Sequence, residues 1–161
     1  MQSVLRALLI TIAVFGAGIV RAEYTARPMT GLSLDTALSD AQRLADVRPG
    51  AQVMRIEGKS MLPFFGEGSV VVVKKIDTAK LRAGMVVVYT NRFGETVAHR
   101  LVTATEGGWT AQGYNNATAD STVVNGSNLL GVVYATFHSN GHSDLAAIVM
   151  SVPSALAAPA R

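Results

Sequence analysis

The stretch Ser69-Val70-Val71-Val72-Val73 decides the fold class of this 161-residue chain. Consecutive β-branched residues favour an extended backbone, so this continuous run predicts a strand. Working outward, similar patterns predict five more strands, which are separated by turns containing glycine: Gln52–Glu57, Met85–Thr90, Thr96–Ala104, Trp109–Gln112 and Leu129–Phe137. Six short strands of this kind predict a mainly β fold, either a sandwich or a partly open barrel.

One helix is predicted ahead of the strands. Apolar residues recur at helical spacing over Leu32–Val47, and Arg48-Pro49-Gly50 ends the pattern. We therefore divide the chain after residue 22 into a helical lead-in (23–50), a β-rich domain (51–138) and an apolar tail (139–161). Within the tail, Leu145–Ala160 contains two prolines, which favours a surface or interfacial helix or an irregular tail over a membrane span.

Residues 1–22 have the features of an export signal. Arg6 precedes the uncharged apolar run Ala7–Val20, and Val20-Arg21-Ala22 offers small residues at the −3 and −1 positions of a cleavage site. The alternative is an N-terminal apolar helix retained as an anchor, with membrane association through residues 5–20. Either interpretation places the remainder outside the cytoplasm, in the periplasm or on the outer face of the cytoplasmic membrane.

Composition excludes several classes of protein. The chain is 49% hydrophobic and 16% charged, which excludes disorder, and it has no cysteine for disulfides, thiolate metal sites or a cysteine nucleophile. Its net charge of +3 includes no basic cluster, so nucleic acid is not an expected partner. His138 and His142 have a spacing that suits zinc on a helix, but Asn140-Gly141 interrupts a helix. We therefore expect a solvated loop there, with no metal and no cofactor.

The turn Gly58-Lys59-Ser60-Met61-Leu62-Pro63 is the first candidate for catalytic chemistry. A serine nucleophile needs a tight turn that exposes its oxygen and lets backbone amides face the developing oxyanion. Gly58 permits unusual backbone angles, and Pro63 stiffens the exit from the turn. Serine between glycine and proline more often serves the turn itself, so this segment alone does not identify an active site.

A histidine and an aspartate complete a candidate constellation. His99 shares a strand face with Val97 and Leu101, where it is either a general base or a buried histidine bonded to a backbone carbonyl. Asp120 ends the polar loop Gly113–Asp120, where it either orients an imidazole or caps a turn.

The order and spacing of these segments resemble signal peptidase I and its relatives in the S24/S26 superfamily of serine peptidases. The resemblance covers about Met54–Ala135, roughly half of the chain, and rests on five segments: Gly58-x-Ser60-Met61-x-Pro63, Gly68–Val73, Leu81–Tyr89, Ala98–Val102, and Gly113-x-Asn115-Asn116 with Asp120. Histidine followed by arginine at the base position is similar to the archaeal and endoplasmic-reticulum branch, whereas the bacterial branch has lysine there. Two positions depart from the family pattern, because Met85 and Tyr114 stand where aspartates are usual.

This resemblance implies an exported serine endopeptidase with a signal-peptidase-type β fold. Ser60 would be the nucleophile and its backbone amide the first oxyanion donor, His99 the general base, and Asp120 the acid that orients it. Gly58, Met61 and Pro63 would contact a peptide or preprotein substrate with small residues before the cleaved bond. Two alternatives stay open: a non-catalytic exported β module that binds peptides or partner proteins, and a self-cleaving repressor-type peptidase.

Overall fold

The computed structural model describes residues 24–143. The predicted export segment 1–22 and the stretch 145–160 lie outside the described residues. Between residues 24 and 143, no helix has the length and apolar character needed to cross a membrane.

The predicted helix and all six predicted strands are present, with bounds within two residues of those expected. The helix α1 is Leu34–Asp46, and a short 3-10 turn follows at Thr78–Lys80. The strands are β1 (Ala51–Arg55), β2 (Val70–Lys74), β3 (Val86–Thr90), β4 (Thr96–Thr105), β5 (Gly108–Gln112) and β6 (Leu129–Phe137). The mainly β prediction is thus confirmed at the level of single elements.

The six strands between residues 24 and 143 form one open sheet, so the predicted sandwich is wrong, whereas the partly open barrel, which is also a single sheet, stays a prediction. All the pairings are antiparallel, and the strand order is β1-β2-β6-β3-β4-β5. The last strand, β6, lies between β2 and β3 and hydrogen-bonds to both of them. Because β6 pairs with both β2 and β3, it joins the two groups of strands edge to edge into one sheet.

The valine run of β2 is buried on both faces of the sheet. Val70 and Val72 pack with α1, whereas Val71 and Val73 pack on the opposite face with Val88. None of these valines is more than 2% exposed.

Helix α1 begins where Ser33 caps it and covers only one end of the sheet. The Ser33 hydroxyl accepts a hydrogen bond from the Thr36 backbone N–H, which satisfies one free donor of the first turn. The buried face of the helix carries Leu34 and three alanines, whose small side chains let the helix approach the sheet closely. The helix contacts β1, β2 and β6, so β3, β4 and β5 are left to be covered by loops.

Candidate active site

Ser60 lies in the turn that joins β1 to β2, at the mouth of a groove. The turn is closed by a hydrogen bond from the Glu67 N–H to the Gly58 carbonyl, 3.0 Å, and by one from the Leu62 N–H to the Lys59 carbonyl, 3.1 Å. Gly58 has φ +79°, a left-handed conformation that glycine adopts without a steric cost. The Ser60 N–H makes no hydrogen bond within residues 24–143, so it is available to a ligand.

His99 joins Ser60 to Asp120 through its two ring nitrogens. The Nε2–Oγ distance to Ser60 is 2.9 Å, and the distance from Nδ1 to Asp120 Oδ2 is 2.6 Å. An ionised carboxylate only accepts hydrogen bonds, so Nδ1 carries the proton and Nε2 is left to accept from the Ser60 hydroxyl. His99 lies on β4, which pairs with β3, and its side chain is only 8% exposed.

Asp120 is held at both its backbone and its side chain. Its N–H donates to the Ala111 carbonyl at 2.7 Å, which ties the loop to the end of β5. Its Oδ2 accepts a second hydrogen bond, from the Tyr89 hydroxyl, at 2.6 Å. Burial raises the pKa of Tyr89 far above its usual range, and the hydrogen bond to Asp120 and the charge of Asp120 act in the same direction. Tyr89 therefore remains protonated and can only donate to the carboxylate.

The loop that carries Asp120 also contacts the nucleophile turn directly. The Asn115 N–H donates to the Ser60 carbonyl at 2.8 Å, and its side-chain amide donates to the Lys59 carbonyl at 3.3 Å. Gly113 makes this approach possible, because a Cβ atom there would lie 2.6 Å from the Ser60 carbonyl oxygen. The same Asn115 side chain accepts from the N–H of Tyr24 and donates to its carbonyl.

The two positions that depart from the family pattern have apolar or aromatic surroundings. The Tyr114 ring lies 4.3 Å from the ring of Phe64, and the Arg100 guanidinium lies 4.5 Å from the Tyr114 ring centre. Met85 is partly buried in the apolar cluster that contains Val87. Neither side chain takes the place of an acid, whereas Asp120 lies within hydrogen-bonding distance of the imidazole.

A groove of about 410 Å³ begins at Ser60 and His99. Its other lining residues come mainly from β1, the turn after it and β4: Met54, Arg55, Ile56, Glu57, Gly58, Met61, Phe65, Val88, Thr96, Val97 and Ala98. Two of the predicted substrate-contacting residues, Gly58 and Met61, are in this set. Pro63 is not among them.

Two strand segments beside the groove have an unpaired edge. The Ile56 N–H and carbonyl both bond toward β2, so alternation turns those of Arg55 and Glu57 to the outer side. On β4 the Leu101 N–H bonds toward β3. Backbone polar groups alternate between the two edges of a strand, so those of Ala98, three residues earlier, point to the opposite edge. Pairing with β5 begins only at Arg100, which leaves that edge of Thr96–His99 open.

The predicted solvated loop after β6 is more buried than expected. Ser139 is fully buried, and its hydroxyl donates to the Gly68 carbonyl at 2.6 Å. Partial burial, together with the nearby Arg27 charge, lowers the pKa of His138. The loop thus packs against the end of the sheet instead of lying free in solvent.

Sequence reasoning missed two residues of this site, Tyr89 and the side chain of Asn115. Tyr89 follows a run of valines, a pattern that predicts a buried apolar side chain. Nothing in that pattern indicates that its hydroxyl bonds to Asp120. Asn115 was noted for its place in the loop, but nothing in the sequence indicates which backbone groups its amide binds.

Comparison with protein families gives the class of protein that has this fold and site. The family model for Peptidase S24-like proteins matches residues 17–134, which is more than two thirds of the chain. The protein is therefore placed in the class of peptidases. It belongs to the Peptidase S24-like family, within the S24/S26 superfamily that the sequence resembles. No curated protein matches the sequence significantly.

Proposed function

We propose that this protein is an exported serine endopeptidase of the signal peptidase type, with Ser60 as nucleophile. The observation that carries the proposal is the continuous hydrogen-bonded chain from Ser60 through His99 to Asp120, with distances of 2.9 and 2.6 Å. Membership of a peptidase family supports the reaction class. Export rests on the sequence features of residues 1–22.

In the proposed reaction, His99 Nε2 takes the hydroxyl proton of Ser60 as the oxygen attacks the scissile carbonyl. The C–O bond forms while the carbonyl becomes a tetrahedral oxyanion. His99 then gives the proton to the leaving amine, and the C–N bond breaks to leave an acyl-enzyme. Water, activated by the same imidazole, hydrolyses the ester and returns the proton to Ser60. Asp120 holds the required tautomer and stabilises the imidazolium in both steps.

The Ser60 N–H is the first donor we assign to the oxyanion. It belongs to the nucleophile itself, and no other residue of the described segment accepts a hydrogen bond from it. A donor already fixed by the turn loses little reorganisation energy when charge develops on the substrate oxygen.

The substrate we propose is an extended peptide that enters the groove as an additional strand. The outward backbone groups of Arg55, Glu57 and Ala98 would bond to its main chain, which is the usual mode of strand addition. Met54, Ile56 and Met61 line the groove with apolar surface, so side chains facing them would be apolar. The preference for small residues before the cleaved bond comes from the resemblance to signal peptidases.

The test is cleavage of a peptide with Ala-x-Ala before the scissile bond, together with labelling by a serine-directed acylating probe. The wild-type protein should cleave the peptide and take up one probe per chain, and Ser60→Ala should do neither. Ser127→Ala is the matched control, because the side chain of Ser127 bonds to Asn125 within the turn before β6, away from the candidate site. Equal activity in wild type and Ser60→Ala would refute the proposal, and a folded wild type without either activity would favour the binding module.

A second candidate function is self-cleavage, since the S24 family includes self-cleaving repressor-type members. The observation that favours it is the contact of Asn115 with both the Tyr24 backbone and the nucleophile turn. Tyr24 is two residues beyond Ala22, the last residue before the cleavage position predicted from the sequence. The mass of the purified full chain would decide: loss of residues 1–22 in wild type but not in Ser60→Ala, at a rate independent of protein concentration, would establish cleavage within one chain.

A further inference from the structure

Tyr89 occupies a position in the sheet that puts its hydroxyl beside the proposed catalytic residues. In the register of β3 and β4, Val87 faces His99 and Tyr89 faces Val97, so Tyr89 and His99 lie diagonally on the same face of the sheet. The Tyr89 side chain is fully buried among apolar residues of that face. Only its hydroxyl reaches a polar group, the carboxylate of Asp120.

Tyr89 and His99 donate to the same oxygen. The Tyr89 hydroxyl and His99 Nδ1 each lie 2.6 Å from Asp120 Oδ2. A buried tyrosine hydroxyl needs a partner, but a backbone carbonyl would satisfy that need without involving a charged group. Here the partner is the same oxygen that binds the imidazole. Asp120 Oδ2 is therefore held by one donor on β3 and one donor on β4.

Asp120 itself lies in a loop, so these two hydrogen bonds determine the direction of its carboxylate. The backbone bond to Ala111 fixes the Cα of Asp120 but leaves the side-chain torsions free. We propose that Tyr89 is a positioning residue for the peptidase reaction: its hydroxyl fixes Asp120 Oδ2 against His99 Nδ1 and so maintains the tautomer that lets His99 accept the Ser60 proton. This inference rests on the proposed function, because it assigns a role within that reaction.

Tyr89 would act on turnover and not on substrate binding. Tyr89 is not among the residues that line the groove, and it lines a separate cavity together with His99 and Asp120. Removing its hydroxyl deletes one hydrogen bond to a charged group and leaves the apolar ring in place. Such a bond corresponds to about a tenfold to hundredfold effect. Tyr89→Phe should therefore lower kcat by about that factor and leave KM unchanged.

The experiment compares Tyr89→Phe with Tyr134→Phe, which makes the same chemical change at a tyrosine that is 48% exposed on β6. Rates are taken per folded molecule, with the folded fraction measured by circular dichroism. Tyr134→Phe should match wild type. Wild-type kcat in Tyr89→Phe, or a loss confined to KM, would overturn the proposal.

A double-mutant cycle tests whether Tyr89 acts through Asp120. If it does, adding Tyr89→Phe to Asp120→Asn should change kcat by less than about twofold, because the carboxylate being positioned is already gone. A full tenfold or larger loss in the Asp120→Asn background would show a separate structural effect and overturn the assignment.

Nitrogen-15 NMR of the histidine rings supplies a readout that does not need catalysis. Wild type should show His99 with the proton on Nδ1 at neutral pH, and Tyr89→Phe should lower that tautomer's population while Tyr134→Phe does not. If the wild type neither cleaves peptide nor reacts with the probe, the proposed function fails, and the NMR result alone still decides the positioning role. An unchanged tautomer in Tyr89→Phe refutes it.

Discussion

The two ends of the sheet are built from the same kind of sequence but are covered in different ways. The helix-backed half consists of α1, β1, β2 and β6, and the loop-bound half consists of β3, β4, β5 and the loop 113–124. In the helix-backed half, Val70 and Val72 pack with the alanines of α1 in a cluster of small apolar side chains. In the loop-bound half, the apolar cluster includes Tyr89, and the Tyr89 hydroxyl and the His99 ring both bond to a carboxylate from a loop, that of Asp120.

This difference separates stability from chemistry within one sheet. Apolar contacts are non-directional, so the helix-backed half needs only shape and area, and small side chains suffice. Hydrogen-bonded side chains need a partner at a defined distance and angle, which ties the loop 113–124 to the strands beneath it. We therefore expect substitutions at Tyr89, His99 and Asp120 to change the reaction, and substitutions between α1 and the valines beneath it to change stability.

The largest effect should come from His99→Lys. The lysine-based relatives need an amine that burial keeps neutral, whereas here an Asp120 carboxylate next to the base would favour the charged ammonium. Loss of the base in a serine–histidine–acid site costs about 10⁶ in kcat. We expect His99→Lys to be as inactive as His99→Ala in the peptide assay, with thermal unfolding as the folding control. Substantial activity in His99→Lys alone would mean that the pocket suits a lysine base after all.

Asp120→Asn should have the next largest effect. The amide can donate to Nδ1, which favours the tautomer whose Nε2 cannot accept from Ser60, and losses near 10⁴ in kcat accompany such a change in a serine–histidine–aspartate triad. Asp40→Asn is the matched control, because Asp40 pairs only with Arg43 on the surface of α1. If Asp120→Asn retained wild-type kcat while Ser60→Ala was inactive, the site would be a serine–histidine dyad.

Val72→Ala tests the other half of the comparison. Val72 is fully buried under α1, and removing two carbon atoms should cost about 2 kcal/mol of unfolding free energy, lowering Tm by about 5–10 °C. The kcat per folded molecule should stay within about twofold, because the hydrogen-bonded groups of the loop-bound half are untouched. A large fall in kcat with an unchanged Tm would break the division between the halves.

The smallest expected effect is a loss of stability at alkaline pH that depends on Tyr89. Its pKa is raised in the folded protein, so the unfolded chain loses the phenolic proton first, near the usual value of about 10. The stabilisation is fully present below pH 10 and falls above it, by roughly 1 kcal/mol at pH 10.5. Tm measured from pH 8 to 10.5 should therefore decrease less in Tyr89→Phe than in wild type. Equal decreases in the two proteins would mean that another group causes the alkaline loss.

The sequence predicted the helix and the strands but not the order of the strands in the sheet. The β-branched runs predicted the strands, and the helical spacing before Arg48-Pro49-Gly50 predicted α1, because both signals come from neighbouring residues. The position of β6 between β2 and β3 could not be predicted in this way. It depends on hydrogen bonds between residues some sixty positions apart, such as Val72 and Ala135, to which no local pattern refers.

The candidate site, too, could be predicted only in part from the sequence. The sequence by itself determined which residue types were available: a serine in a glycine–proline turn, a histidine on an apolar strand and a carboxylate in a polar loop. Only the tertiary structure decided that the serine and the carboxylate each lie within hydrogen-bonding distance of the histidine and that Pro63 does not line the groove. It also decided that the Tyr89 hydroxyl and His99 Nδ1 bond to the same oxygen of Asp120. The reason is that strand periodicity fixes the face on which a side chain lies, whereas a hydrogen bond depends on sheet register and on where a loop returns, and both are set by contacts distant in the sequence.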